Sequence, residues 1–130
     1  MATKGLEGVV AAESSISSII DGVLTYRGIN IDELAEHASF EEVVYLLWYG
    51  HLPTRSQLDQ LKKELSENAT LPSEVIELLK RVPSYVHPMA ALRTAVSALS
   101  LYDEEADDMT KEANLRKAVR LQAKISNIVT

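Results

Sequence analysis

The chain contains no cysteine, which excludes disulfide bonds, thiol catalysis and cysteine-ligated zinc. Basic residues are also few, since 13 Lys and Arg stand against 19 Asp and Glu, for a formal charge of −6. Nucleic acids and anionic membranes both select clustered basic residues, so this charge argues against either as a partner. We therefore expect the protein to bind neither.

Long hydrophobic runs are absent as well. No apolar stretch approaches the roughly 18 residues that a membrane-spanning helix needs. Residues 1–15 lack the basic and apolar regions of a signal peptide, and they are too acidic and too poor in Arg for a transit peptide. We expect a cytoplasmic protein of one domain's size, because 130 residues, 46% of them hydrophobic, can bury a real core.

Several catalytic motifs are missing too. Neither a Gly-x-Ser-x-Gly motif nor a glycine-rich phosphate loop occurs. The three histidines, His37, His51 and His87, are not spaced at i+3 or i+4, so no metal site is predicted. We interpret His37 and His51 as helix-end residues; His87 either caps the next helix or helps to position an active-site element. Glu41 and Glu42 are interpreted as first-turn charges rather than as a paired-carboxylate site.

What the sequence does contain is a short β region followed by helices. Strands are predicted at Val9-Val10, at Ile16 to Ile20 and from Val23-Leu24 onward. Asp21-Gly22 between apolar residues favours a two-residue hairpin turn, because Gly tolerates positive φ at no steric cost. Tyr26-Arg27-Gly28 is predicted to close this region, so residues 1–28 form an N-terminal β region and residues 29–130 a helical part.

Capping signals predict where the helices begin and end. The predicted helices run from Ile31 to about Ala38, Phe40 to Tyr49, the Thr54-Gln57 box to about Ala69, Ser73 to Val82, Met89 to about Tyr102, and onward from about Thr110. Asn30 can cap the first helix, and Ser39 with Glu42 forms a capping box for the second, which Gly50 ends. The predicted fold class is therefore mainly α: a small N-terminal β region followed by a helical bundle.

The helix from Met89 to Tyr102 carries two apolar stripes. Its large stripe is Met89, Leu92, Val96 and Leu99; its small stripe is Ala91, Ala95 and Ala98; the polar side holds Arg93, Thr94, Ser97 and Ser100. One modest domain can cover one stripe, so we infer that a second copy of the chain covers the other. The predicted partner is thus a homodimer formed through this helix.

The last helix has a predicted apolar stripe and a basic face. The stripe is Ala118, Leu121, Ile125 and Ile128, and the basic face is Arg116, Lys117, Arg120 and Lys124. We interpret the basic face as solvated or as forming salt bridges between subunits, with contact to an acidic cofactor such as CoA as the alternative. The acidic segment from Asp103 to Asp108 is interpreted as a solvated loop. Because the helix is still apolar at Ile128-Val129, we expect the chain to be truncated.

The order of these motifs closely resembles the N-terminal part of citrate synthases. The opening segment from Gly5 to Gly22 most resembles the short bacterial type. The resemblance rests on Tyr26-Arg27-Gly28, Phe40-Glu41-Glu42-Val43, Tyr45-Leu46-Leu47, Gly50, Leu52-Pro53-Thr54, His87-Pro88-Met89 and the segment from Lys117 to Ile125. It implies an enzyme that condenses acetyl-CoA with oxaloacetate by acid–base catalysis, using an aspartate and histidines and no metal. His87-Pro88-Met89 resembles the start of the helix that pairs across the family's dimer axis.

The resemblance also implies that this segment lacks the family's catalytic residues, which belong to later helices and a small cofactor-binding domain. We therefore assign no catalytic residue, no metal ligand and no cofactor, and leave the CoA-contacting residues unknown. The chain alone is expected to be inactive. Two alternatives remain open: a segment of a 2-methylcitrate synthase, which uses propionyl-CoA, and a stand-alone helical interaction domain without catalytic residues.

Overall fold

The fold is known from a computed structural model, which describes residues 13–130. The chain divides into two compact units, the first ending at Leu58 and the second comprising Asp59–Thr130. The division falls inside the third helix. The boundary predicted between residues 28 and 29 stays a prediction.

The described part of the first unit contains a three-stranded antiparallel sheet in the order β1-β2-β3. Its strands are β1 (Ser17–Ile20), β2 (Val23–Tyr26) and β3 (Ile29–Asn30). The hairpin predicted at Asp21-Gly22 is confirmed: both residues have positive φ, 51° and 81°, as a tight hairpin turn requires. The predicted strand at Val9-Val10 lies outside the described residues.

A second tight turn was missed. Arg27 and Gly28 also have positive φ, 49° and 83°, and they connect β2 to β3. A two-residue strand, β3, therefore follows the motif that was predicted to close the β region. The turn was missed because Arg rarely adopts this conformation, so Arg27-Gly28 carries a weaker turn signal than Asp-Gly.

Two helices complete the described part of the first unit, α1 (Ile31–His37) and α2 (Phe40–Tyr49). The Asn30 cap is confirmed, because its side chain accepts a hydrogen bond from the N–H of Asp32 at 2.8 Å. The Ser39–Glu42 capping box is confirmed in both directions, at 2.7 Å and 3.4 Å. Gly50 ends α2 with φ of 85°, a conformation that costs residues with a Cβ roughly 1–2 kcal/mol.

The third helix, α3 (Arg55–Glu67), starts at the predicted second capping box. The N–H of Thr54 donates to Oε1 of Gln57 at 2.8 Å, and the N–H of Gln57 donates to Oγ1 of Thr54 at 3.4 Å. Leu58 and Leu61, three residues apart on this helix, are buried. Both ends of α3 therefore follow local signals within about two residues of the prediction.

The second unit contains three further helices, α4 (Ser73–Lys80), α5 (Pro88–Leu99) and α6 (Lys111–Val129). A 3₁₀ turn at Ser100–Tyr102 continues α5 to the residue where its end was predicted. α5 packs against both α4 and α6. One core cluster consists of Val75, Ala95 and Leu99, against which Leu71, Leu79, Ala98 and Ile128 pack.

The two stripes predicted on α5 each contribute one core residue. Ala95 comes from the small stripe and Leu99 from the large one, while Met89, at the start of the helix, is 61% exposed. The other stripe residues are half-buried, and the predicted polar side, Arg93, Thr94, Ser97 and Ser100, is exposed. Folding of one chain therefore covers both stripes only in part.

The apolar stripe predicted on α6 was right only in part. Ala118 is half-buried and Ile128 packs against the core, whereas Leu121 and Ile125 are 39% and 36% exposed. The buried residues of this helix are Ala113, Val119 and Ala123. The prediction followed side-chain size, but two of these three buried residues are alanines.

Candidate functional site

The charged side chains of the second unit meet where the loop after α5 lies against α6. We call Asp103, Glu105, Arg116 and Arg120 the ion-pair network. Nε and Nη2 of Arg120 each lie 2.9 Å from an oxygen of Asp103, and Nη1 of Arg120 lies 2.9 Å from Oε2 of Glu105. Arg116 binds the same Glu105 carboxylate through Nε and Nη2. Glu105 is thus shared by two guanidinium groups.

Local geometry explains why these four residues meet. Arg116 and Arg120 are four residues apart on α6, which places them on one helix face. On the other side, the loop Asp103–Asp108 folds into tight turns: the N–H of Ala106 donates to the carbonyl of Asp103, and that of Asp108 to the carbonyl of Glu105, each at 3.0 Å. These turns bring the two carboxylates to the arginine face.

The network shifts the pKa of its members in the direction expected for ion pairs. The hydrogen bond from Arg116 is the main cause that lowers the pKa of Glu105 from 4.5 to about 2. The same contact raises the pKa of Arg116. The pKa of Asp108 is lowered by hydrogen bonds from the backbone and side chain of Thr110, the residue that caps α6.

The two lysines of the basic face are also engaged within the chain. Nζ of Lys117 donates to the carbonyl oxygens of Ala106 and Asp108, at 3.1 Å and 2.5 Å. Nζ of Lys124 donates to the carbonyl of Asn68 at 2.8 Å, just beyond the end of α3. Desolvation, followed by repulsion from Arg120, lowers the pKa of Lys124.

These contacts correct one prediction. The acidic segment from Asp103 to Asp108 is not simply solvated, because two of its carboxylates are ion-paired. All four basic side chains bind oxygens of their own chain. Salt bridges of the basic face with a second subunit and its contact with CoA stay predictions.

A groove of about 790 Å³ lies beside the network, between the loop, α5 and α6. Val96, Leu99 and Leu121 give it apolar walls, while Asp103, Arg120 and Lys124 contribute its polar lining. A cavity of this size is within the range of small-molecule sites. Its charged lining groups are largely committed to one another, however, so the groove offers few free acid–base groups.

The histidines take the positions that the sequence predicted. Nδ1 of His87 accepts a hydrogen bond from the N–H of Met89 at 3.2 Å, which confirms its capping role. His37 is the last residue of α1, with Glu33 and Glu36 about 4 Å away. His51 follows the end of α2 and is exposed.

The described residues supply neither a metal site nor a membrane span. Within residues 13–130, no group of three or more His, Asp or Glu side chains is arranged to hold a metal ion. None of the helices in that range is both long and apolar enough to cross a bilayer. The first-turn interpretation of Glu41 and Glu42 is confirmed by their places at the start of α2.

One structural residue was missed by sequence reasoning. Nη2 of Arg27 donates to the carbonyl of Leu47 at 2.8 Å, and Nη1 donates to Oγ of Ser15 at 3.0 Å. The arginine thereby joins the second hairpin turn to the last turn of α2. Its Nε is buried and has no hydrogen-bond partner in the described part of the chain. The only available signal was the Tyr26-Arg27-Gly28 motif, which does not indicate where the side chain binds.

Comparison with known proteins identifies the class. The family described as citrate synthase, C-terminal domain, matches residues 5–130. The chain therefore belongs to the citrate synthase family. The fold, mainly helical with a small sheet, is that of this family, and the position of the segment within a longer chain stays a prediction.

Two relatives and one solved structure show which citrate synthases this chain is similar to. Citrate synthase 2 of Bacillus subtilis is 58% identical over 129 residues, which is 98% of this chain and 35% of that protein. The citrate/2-methylcitrate synthase of the same organism is 38% identical over 123 residues, 93% of this chain and 33% of that protein. A solved ternary complex of Thermoplasma acidophilum citrate synthase with carboxymethyl coenzyme A and oxaloacetate superposes with a TM-score of 0.87. It is 26% identical and covers 99% of this chain and 35% of that one. The chain thus spans about a third of the length of these relatives.

Proposed function

We propose that this chain is part of a citrate synthase, which condenses acetyl-CoA with oxaloacetate and water to give citrate and CoA. The observation that carries the proposal is the 58% identity to citrate synthase 2 over nearly the whole chain. The ligands in the Thermoplasma acidophilum complex, a CoA derivative and oxaloacetate, support the same pair of substrates. The reaction needs acid–base groups but no redox cofactor.

The proposal is tested with the product of the complete reading frame. CoA release is measured in the presence of acetyl-CoA and oxaloacetate, and citrate is identified as the second product. We expect turnover that depends on both substrates and that is unchanged by a metal chelator. Absence of citrate under these conditions would contradict the assignment.

Within such an enzyme we propose that this segment is structural. General acid–base catalysis needs titratable groups aimed at the substrate in a protected site. His87 is instead engaged in a helix cap, and the groove's Asp103, Glu105 and Arg120 bind one another. Because these side chains already bind other groups of the chain, they support a structural role for the segment. Proton transfer would then be carried out by residues outside it.

We further propose that α5 forms a homodimer contact. The support is the partly covered apolar surface of α5, which includes Met89 at 61% exposure. Met89→Glu tests this well, because a carboxylate in the first turn of a helix favours folding while opposing an apolar contact. Thr94→Glu, on the exposed polar side, is the matched control.

Sedimentation velocity at micromolar protein concentration measures whether each variant is a monomer or a dimer. We expect the unchanged chain and Thr94→Glu to sediment as dimers and Met89→Glu to shift toward monomer. A monomeric unchanged chain would contradict the dimer. So would a Met89→Glu variant as dimeric as the control.

The second candidate is a 2-methylcitrate synthase, favoured by the identity to the citrate/2-methylcitrate synthase of Bacillus subtilis. The two activities differ in the acyl group, acetyl or propionyl. Comparing kcat/KM of the complete protein with acetyl-CoA and propionyl-CoA decides between them, and we expect acetyl-CoA to be preferred.

We also propose that the protein works in the cytoplasm, which cell fractionation would test.

A further inference from the structure

The loop Asp103–Asp108, which we call the acidic loop, forms one wall of the groove beside α5 and α6. None of its residues is buried: Asp103, Glu105 and Ala106 are half-buried, and the other three are exposed. Apolar burial therefore contributes little to holding this loop in place. Its position must depend on polar contacts.

Besides hydrogen bonds within the loop itself, its contacts with α6 each involve a charged side chain. Carboxylates of the acidic loop bind Arg116 and Arg120, and Lys117 binds two of its carbonyl oxygens. The side chains of Arg116 and Glu105 remain 54% and 32% exposed. Since solvent reaches these groups, dissolved salt can compete for them and screen their attraction.

The core of the second unit does not share this dependence. It includes Val75, Ala95 and Leu99, which are apolar and at most 6% exposed, so its stability comes from burial rather than charge. Conditions that weaken ion pairs should therefore act on the acidic loop well before they unfold the helices.

We propose that the acidic loop is a flap held by charge, which opens away from α6 while the α4–α6 core stays folded. The groups that hold it closed are Asp103, Glu105 and Asp108 on the loop, facing Arg116, Lys117 and Arg120 on α6. Opening removes one wall of the groove and so increases the access of solutes to Val96 and Leu121. Salt or neutralisation of Glu105 shifts the flap toward the open state.

Hydrogen exchange of single amides, followed by NMR on the 130-residue chain, tests the proposal. The N–H groups of Ala106 and Asp108 report on the closed loop, because both are hydrogen-bonded within it. The N–H of Ala95, in the buried part of α5, reports on the core. Raising KCl from roughly 0.02 M to 0.5 M should speed exchange at Ala106 and Asp108 about threefold to tenfold, and leave Ala95 unchanged.

Glu105→Gln should speed exchange at the same two amides by a similar factor and make them less sensitive to salt, since the Asp103–Arg120 pair remains. Glu104→Gln is the matched control, because Glu104 is exposed and carries the same charge one position earlier. It should leave the exchange rates as they are. The salt experiment uses the unchanged chain, so it tests whether the loop opens as a flap even if Glu105→Gln folds poorly.

Two results would overturn the flap. One is exchange at Ala106 and Asp108 that does not respond to salt. The other is exchange that rises equally at Ala95, since the opening would then be unfolding of the whole unit rather than motion of the loop.

Discussion

The polar contacts of the two units differ in how far apart in sequence the joined residues lie. In the first unit, the helix caps join residues two or three positions apart, as in the Ser39–Glu42 box. In the second unit, the main polar contacts join residues 11 to 58 positions apart, from Arg116 with Glu105 to Asn127 with the carbonyl of Ala69. The separation is not complete, because Arg27 joins Leu47 across 20 positions in the first unit and His87 and Thr110 form local caps in the second. Within the described residues, however, the long-range polar contacts are concentrated in the second unit, where they form only once its helices pack.

The largest expected effect concerns the apolar core of the first unit. Leu46 is 1% exposed, so Leu46→Ala should lower the free energy of unfolding by about 2–5 kcal/mol. Urea unfolding followed by circular dichroism measures the loss. Leu52→Ala, at a site that is 45% exposed, is the control and should cost much less. Equal losses for both variants would show that the core of this unit is misplaced.

A smaller effect tests the local caps. Ser39→Ala removes the hydroxyl that accepts a hydrogen bond from the N–H of Glu42. It should lower the free energy of unfolding by about 0.5–2 kcal/mol. Ser56→Ala, at an exposed position within α3, should change stability by no more than about 0.5 kcal/mol. If the two substitutions were equivalent, the box would not stabilise the first unit.

The smallest effect concerns the ion-pair network. It is measured by following the free energy of unfolding as a function of pH. Glu105 keeps its charge in the folded chain down to about pH 2, whereas its ordinary pKa is 4.5. Its stabilisation is therefore fully present above pH 4.5 and is lost as the pH falls toward 2. Between these two pH values, the unfolding free energy should fall less for Glu105→Gln than for the unchanged chain. Glu104→Gln should behave as the unchanged chain does, and parallel curves for all three would exclude the network from acid stability.

Sequence reasoning succeeded where structure follows from neighbouring residues. The hairpin at Asp21-Gly22, the ends of α2 and the His87 cap were predicted because each needs only residues within a few positions. The second hairpin turn was missed because Arg27 adopts a left-handed conformation that Arg seldom takes.

Long-range contacts were beyond the same reasoning. The buried side of α6 was assigned only in part, because Leu121 and Ile125 are larger than the residues that are buried and size alone does not show which face is covered. The acidic loop and the basic face were interpreted separately, since no local rule joins Glu105 to Arg116 across 11 positions. The family resemblance supplied the enzyme class, which the composition and spacing could not.

The central claim is that this segment builds part of a citrate synthase without supplying its proton-transfer groups. Its most direct test is CoA release from acetyl-CoA and oxaloacetate by the 130-residue chain, measured beside the product of the complete reading frame at equal molar concentration. We predict background rates for the chain and turnover for the complete protein. Substrate-dependent CoA release by the 130-residue chain alone would contradict the account.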